Sequence, residues 1–376
     1  MNASRFNAGQ CDPKGLYRFI QSEFNVPSLI PIELLLTMTI ITVLLCLIFD
    51  FTNGLHDASS TIATLVECGA ATPRGAVMMS SIANLLGALI GGSAVAFTMQ
   101  ELLNSTLGSE MVIVILAAVI GSTIWNIITW RFGLPSSSTH ALVGGMIGAG
   151  IAANGINSVF WGIDELIGPG HQVVGVTKVV LFLFLSVAIG FVGGYLIMKA
   201  SSILLRNAER SANEPIIKIQ WLTSGLLSFS HGANDTQKQM GIIALVLFSA
   251  GYTTTLDVSL WVRIVCALFM ALGTLGGGWR IIRTIGRGIY RIKPIHSLDS
   301  HITSTFSLAF STALGAPVSS TQVVASSVVG IGAAENARMV RWSVAKDMLI
   351  SWLVTIPATM ILSGIIYCLI QVTMIS

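Results

Sequence analysis

The chain has 376 residues, of which 53% are hydrophobic and 10% charged, with a formal net charge of +3 and a mean hydropathy of +0.80. A soluble domain carries roughly 25% charged residues, so this composition excludes an ordinary soluble protein. The small positive charge is scattered through loops, which argues against nucleic acid as a partner. What remains is an integral membrane protein with lipid as its surroundings.

Residues 1–31 form a mixed polar N-terminal segment without the charged start and apolar core of a signal peptide. The first membrane span is therefore expected to direct insertion. A span needs about 20 apolar residues, and such passes are expected near 34–69, 76–99, 111–130, 134–155, 175–199, 221–250, 259–278, 302–315, 318–334 and 347–370. The most polar stretch, 199–218, carries Lys199, Arg206, Arg210 and Lys218. It divides the chain into a first membrane repeat (32–200), a cytoplasmic linker (201–218) and a second repeat (219–376). Cys11, Cys46, Cys68, Cys266 and Cys368 show no CxxC pairing and read as small apolar residues.

The two halves resemble each other. FTNGLHDASS (51–60) aligns with FSHGANDTQK (229–238) at an offset of 178, and GLPSSSTHALVGGMIGAG (133–150) aligns with GAPVSSTQVVASSVVGIG (315–332) at an offset of 182. GALIGG (87–92) and GTLGGG (273–278) match more weakly at 186. An odd number of passes per half makes the second copy enter from the opposite side, so the repeats are expected to be inverted. The positive-inside rule agrees: Arg74, Arg131, the linker, the Arg280 to Lys293 cluster and Arg338, Arg341 and Lys346 fall on one side, and both termini face outward. The expected fold is an all-α polytopic membrane protein of about 10–12 segments, with two inverted-topology repeats, discontinuous helices and paired Ser/Thr re-entrant hairpins. Inverted repeats of this kind favour a site near the bilayer midplane.

Two elements occur once per half. The first is acidic: Asn53, His56 and Asp57, matched by His231, Asn234 and Asp235. A carboxylate in a bilayer is costly unless paired or holding a cation, and Gly54 and Gly232 would let the helix unwind there and offer carbonyls. Fixed structural pairing is the alternative, weakened by the duplication. Lys238, one turn beyond Asp235, is either its ion-pair partner or a substrate contact. The second element is Pro135 followed by Ser136, Ser137, Ser138, Thr139 and His140, matched by Pro317 followed by Val318, Ser319, Ser320, Thr321 and Gln322. Proline suits a first helical turn, and a helix N-terminus rich in hydroxyls binds oxyanions. Close packing by small residues is the alternative. Acids beside anion sites would repel the anion unless a cation or proton neutralises them, which couples the two bindings as in a symporter. Asp50, Glu67, Asn84 and Asn126 either line the path or pack. A membrane hydrolase using Ser138, His231 and Asp235 gains nothing from duplication, so an enzyme is not expected, and a passive channel has no need of paired acids.

These residues resemble the signatures of the inorganic phosphate transporter (Pit) family, and the bacterial low-affinity transporters within it most of all. GLHDASS and SHGANDTQK look like its two acidic signatures, and IIWNIITWRFGLPSSSTHALVGG and APVSSTQVVASS like its Ser/Thr hairpins. The resemblance covers about 34–370. It implies phosphate import driven by sodium or protons through a homodimer in a bacterial plasma (inner) membrane, without a cofactor. Ser137, Ser138, Thr139, Ser319, Ser320 and Thr321 would hold phosphate. Asn53, His56, Asp57, His231, Asn234, Asp235 and Lys238 would couple the ion or contact substrate, with sodium a possible occupant at Asp57 and Asp235. The chain departs from sodium-coupled members in the His56-Asp57 pair of the first copy, in Asn84 where those members have Glu, and in Lys238 of the second copy. An ammonium can replace part of a sodium ion's role and His titrates near neutrality, which favours protons, with phosphate carried as a metal complex in similar bacterial proteins. A sulfate symporter of the same family and a sodium-coupled phosphate symporter are the alternatives.

Overall fold

The computed structural model describes residues 31–104, 109–133, 136–209, 211 and 213–375. The N-terminal polar segment up to residue 30, and Pro135, lie outside the described residues. The first half contains α1 (Ile32–His56), α2 (Ala58–Glu67), α3 (Pro73–Ile90), α4 (Ala94–Gln100), α5 (Glu110–Phe132), α6 (Ser138–Asn154), α7 (Ile163–Ile167) and α8 (Gly175–Leu204). The second contains α9 (Asn213–Ser249), α10 (Leu260–Leu275), α11 (Trp279–Arg283), α12 (Pro294–Ala313), α13 (Ser320–Asn336) and α14 (Trp342–Ile375). Among the described residues the only extended pairing is an isolated bridge between Leu103 and Val159. Helices α8 and α9 run into the polar stretch from both sides and leave 205–212 between them.

Among the described residues, five stretches are long and apolar enough to cross a membrane: Glu33–Glu67, Pro73–Ile90, Glu110–Phe132, Gly175–Leu204 and Trp342–Met374. Burial is inside out relative to a soluble protein. Phe184 on α8, Ile361 on α14 and Ile82 on α3 are 64%, 65% and 59% exposed, whereas Asp50, Asp235, His231 and Ser60 are 0% exposed. Lipid can cover apolar side chains but cannot hydrogen-bond polar ones, so the polar groups gather in the centre, where many bond one another.

The halves pack by exchange. Helix α3 lies along α9 while α10 lies along α1, and α6 lies along α14 while α13 lies along α8. Glycines at matched positions allow this. A methyl group on Gly87 would collide with the Phe229 carbonyl, and one on Gly273 with that of Phe51; one on Gly54 would strike Met270, and one on Gly232 would strike Asn84. Each pair repeats its counterpart across the two halves.

These contacts correct the expectation that the acidic segments are unwound. Helix α9 runs unbroken for 37 residues through SHGANDTQK. In the first copy a single turn residue separates α1 from α2, and that residue, Asp57, keeps helical torsions (φ −85°, ψ −36°). Gly54 and Gly232 serve close helix approach, and the polar side chains are satisfied by neighbours, so unwinding is unnecessary. The genuine breaks lie one helix further on in each half, at 91–93 between α3 and α4 and at 276–278 between α10 and α11. Gly92 (φ +86°) and Gly277 (φ +56°) supply the left-handed torsions these breaks require. Matched side chains hold both. Ser59 Oγ accepts from Gly278 N at 2.7 Å, while Gln237 accepts from Val95 N at 2.9 Å and donates to Gly91 O at 2.7 Å.

The Ser/Thr motifs form two helical hairpins, α5–α6 and α12–α13. Gly133 (φ +67°) and Gly315 (φ +65°) turn the chain at equivalent positions. The sequence pattern places Pro317 in the first turn of a helix, but it lies in the extended approach to α13, which begins at Ser320. The caps are Ser137 (φ −108°, ψ 117°) and Ser319 (φ −100°, ψ 109°), so the serine that follows each begins the helix.

Candidate functional site

The two hairpin tips meet at the acidic segments. On one side, Asp57 is 1% exposed. Its Oδ1 lies 2.7 Å from His56 Nδ1 and accepts from Thr321 Oγ1 at 2.9 Å. Its Oδ2 accepts a short hydrogen bond from Ser138 Oγ. Ser138 also faces Asn53 Oδ1 at 2.8 Å. One hydroxyl proton thus faces two acceptors, an arrangement satisfied when the Asn53 amide is turned over.

On the other side, Asp235 Oδ1 is paired with Lys238 Nζ at 2.5 Å, and its Oδ2 lies 3.1 Å from His231 Nε2 and 3.4 Å from Ser320 Oγ. Lys238 is 2% exposed. Its three N–H groups go to Asp235, to Thr139 Oγ1 at 2.6 Å and to the Val318 carbonyl at 2.6 Å. A buried ammonium tolerates the membrane interior only with such complete satisfaction. Thr139 Oγ1 in turn donates to Val318 O at 3.0 Å. His140 and Gln322, equivalent positions in the two repeats, meet directly at 2.9 Å.

Ten of the residues singled out from the sequence therefore lie in two bonded groups that adjoin at the hairpin tips, where Ser138 and Thr139, and Ser320 and Thr321, are chain neighbours. Asn53, His56, Asp57, Ser138 and Thr321 form one group, and Thr139, Ser320, His231, Asp235 and Lys238 form the other. Three stand apart. Ser137 caps α6 by accepting from His140 N at 3.1 Å. Ser319 Oγ is buried with no hydrogen-bond partner among the described residues. Asn234 braces the second tip, donating to Thr312 Oγ1 at 2.9 Å and Ala316 O at 3.1 Å and accepting from Val318 N at 3.3 Å. Three contributors are not among the site residues that the sequence singles out. The Val318 carbonyl has no side-chain signal. The Gln322–His140 contact joins two matched positions, and the shared offset of 182 could have flagged it. Asn84 orients His231 through Nδ1 at 2.7 Å, whereas its place in the sequence offers only a path or packing role.

An all-helical bundle with an apolar exterior and a closed polar centre fed by hydroxyl-rich hairpins defines a membrane transport protein rather than an enzyme or receptor. The Phosphate transporter family matches residues 53–363, and the chain belongs to that family. It is 35% identical over 337 residues to a "Probable low-affinity inorganic phosphate transporter" of Bacillus subtilis, covering 89% of this chain and 98% of that protein. It is 38% identical over 323 residues to one of the same description from Rhizobium meliloti, covering 85% and 93%. A solved structure described as "The sodium-dependent phosphate transporter" shares the fold with a TM-score of 0.80 at 24% identity, covering 89% of this chain and 99% of its own. The named relatives are transporters and not enzymes.

Proposed function

We propose that this protein is a secondary active importer of inorganic phosphate, driven by cation symport with protons preferred to sodium. The observation that carries the reading is the convergence of both acids on both hairpin tips. Asp57 reaches Ser138 and Thr321, and Asp235, through Lys238, reaches Thr139 and Val318. Two carboxylates and one ammonium leave one negative charge at the centre when both histidines are neutral. An incoming phosphate is repelled until that charge is cancelled, and a proton on Asp57 cancels it. Phosphate oxygens then take over the hydroxyls of Ser138, Thr139, Ser320 and Thr321 and the Lys238 ammonium. Ser137, whose hydroxyl caps α6, keeps that helix N-terminus directed at the anion, and the Ser319 hydroxyl, unpartnered among the described residues, is free to contact it. His56 passes the proton to Asp57, His231 holds Asp235 in place, Asn53 holds Ser138, and Asn234 braces the second hairpin tip.

The same reading includes inverted repeats with re-entrant hairpins, both termini outside, a homodimer in a bacterial inner membrane, and phosphate entering as a neutral divalent-metal complex. Sodium coupling is the second reading, favoured by the description of the fold relative as sodium-dependent. Purified protein in liposomes decides between them. Phosphate accumulation under an imposed pH gradient with no sodium is the expected result. Accumulation that needs a sodium gradient overturns proton coupling, and uptake displaced by excess sulfate but not by phosphate overturns the substrate.

A further inference from the structure

Asp50, a buried acid, lies outside this cluster. Asp50 sits two helical turns before Asp57 on α1, is 0% exposed, and among the described residues neither of its oxygens has a hydrogen-bond partner. The titratable groups within electrostatic reach of it are Asp235 on α9, Cys46 on its own helix and Cys266 on α10. None is a cation. An ionised carboxylate in that setting is heavily penalised, because nothing around it replaces the water it has lost.

The repeat shows what the fold does with this position otherwise. The counterpart of Asp50 in the second half is Ser228, at the offset of 178. Ser228 Oγ bonds Thr61 Oγ1 at 2.9 Å and Ser80 Oγ at 2.9 Å, a closed trio of neutral hydroxyls. The counterparts of Thr61 and Ser80 are Gln239 and Cys266. Cys266 is the thiol already within reach of Asp50, and both amide atoms of Gln239 are buried and unpartnered among the described residues. Packing is thus met by a small neutral group in one half, and the other half places a carboxyl there. A metal ion is a poor occupant. Helix α1 is unbroken through Asp50, so its carbonyls are engaged, thiols are soft ligands for sodium, and no cluster of three His, Cys, Asp or Glu suited to a metal occurs among the described residues.

We infer that Asp50 is a second proton site, separate from the phosphate cluster, which holds a proton in the conformation described here and exchanges it with water during the transport cycle. The inference rests on the proton-coupled reading above. Infrared difference spectroscopy of the purified protein gives a readout independent of transport. A component of the protonated-carboxyl stretch that is present in the wild type, retained in Asp57→Asn, altered by added phosphate and missing in Asp50→Asn is expected. Its persistence in Asp50→Asn, or its absence in the wild type, overturns the inference whichever ion drives uptake. In liposomes, Asp50→Asn mimics the permanently protonated carboxyl. Phosphate exchange at equal pH is expected within about twofold of the wild type, while the accumulation ratio under a pH gradient falls to about one, because exchange needs no net proton movement and accumulation does. Asp50→Glu is expected to restore accumulation. Undiminished accumulation by Asp50→Asn, or loss of its phosphate exchange together with that of Asp50→Glu, overturns it. Failure of the wild type itself to respond to pH refutes the parent reading instead, and the infrared band still decides the state of Asp50.

Discussion

The two acidic segments occupy equivalent places and solve the same problem differently. In the second copy Asp235 has a fixed counter-ion: Lys238, one turn along, whose every N–H is engaged. The equivalent of Lys238 in the first copy is Ser60, whose hydroxyl turns back to the Asp57 carbonyl at 2.7 Å. The histidines have also changed places. His231 precedes Asp235 by four residues and lies beside it through Nε2, whereas His56 is adjacent to Asp57 and approaches through Nδ1. Asp235 is thereby tied to a buried ammonium, and Asp57 keeps only hydroxyl donors and a neighbouring imidazole. On the proposed function, one half of the chain builds a fixed part of the site and the other an exchangeable part.

Removing the fixed charge tests that division most severely. Lys238→Met leaves Asp235 buried without its partner, and breaking such a pair costs about 3–5 kcal/mol. A large fall in thermal stability in detergent is expected, with most of it recovered in Asp235→Asn/Lys238→Met, where no charge is stranded. If Lys238→Met is as stable as the wild type, Asp235 is not held by its lysine. The exchangeable half responds otherwise. Asp57→Asn keeps the hydrogen-bonding shape, so the fold should survive while phosphate accumulation falls by about 5–150-fold, the range of a lost coupling of 1–3 kcal/mol. Retained accumulation in Asp57→Asn removes that residue from coupling.

The close helix approaches that make the halves comparable are open to a steric test. Gly232→Ala presses a methyl against the Asn84 backbone, and Gly54→Ala does the same at Met270. Overpacking of this kind costs about 1–3 kcal/mol. Equal losses in melting temperature for the two substitutions are expected, since the contacts are repeats of one another. Gly251→Ala, with nothing within reach of its added methyl but a left-handed φ of +78°, is the control for backbone strain alone. A Gly232→Ala variant no less stable than the wild type would return that glycine to the role of loosening α9.

That ambiguity also marks how far the sequence could be read. The offsets of 178 and 182 identify which residues correspond, and the hairpin tips and acids do converge, because a costly polar group duplicated inside an apolar chain has few structural explanations. Glycine beside an acid has two: it loosens a helix or it admits a neighbouring one. The choice depends on which helix lies alongside, and here that helix comes from the other half, as at Gly87 against Phe229 and Gly273 against Phe51. Local pattern carries no information about such an exchange. Pro317 misleads for a similar reason. Its fixed φ suits an extended approach as well as a first helical turn, and α13 begins only after Ser319, whose backbone is still extended.

The smallest expected effect lies at the rim, where the repeats differ without consequence for the centre. At the end of α13, Glu335 accepts from Tyr290 Oη at 2.6 Å and pairs with Lys293 at 2.6 Å, with His296 Nε2 at 2.9 Å. Burial pushes the Glu335 carboxyl up, but the hydrogen bonds from Lys293 and Tyr290 and the nearby charges outweigh it, so the group is held below its ordinary value. A carboxyl lowered on folding contributes stability above its unfolded value, and that contribution is lost as pH falls through the lower folded one. Lys293 is 59% exposed, so the ion pair contributes at most about 1 kcal/mol. Glu335→Gln should therefore lower the melting temperature slightly at neutral pH and abolish the difference from the wild type in acid, leaving phosphate exchange unchanged. A loss of exchange as large as that of a central residue would mean that the rim takes part in the movement of the hairpin.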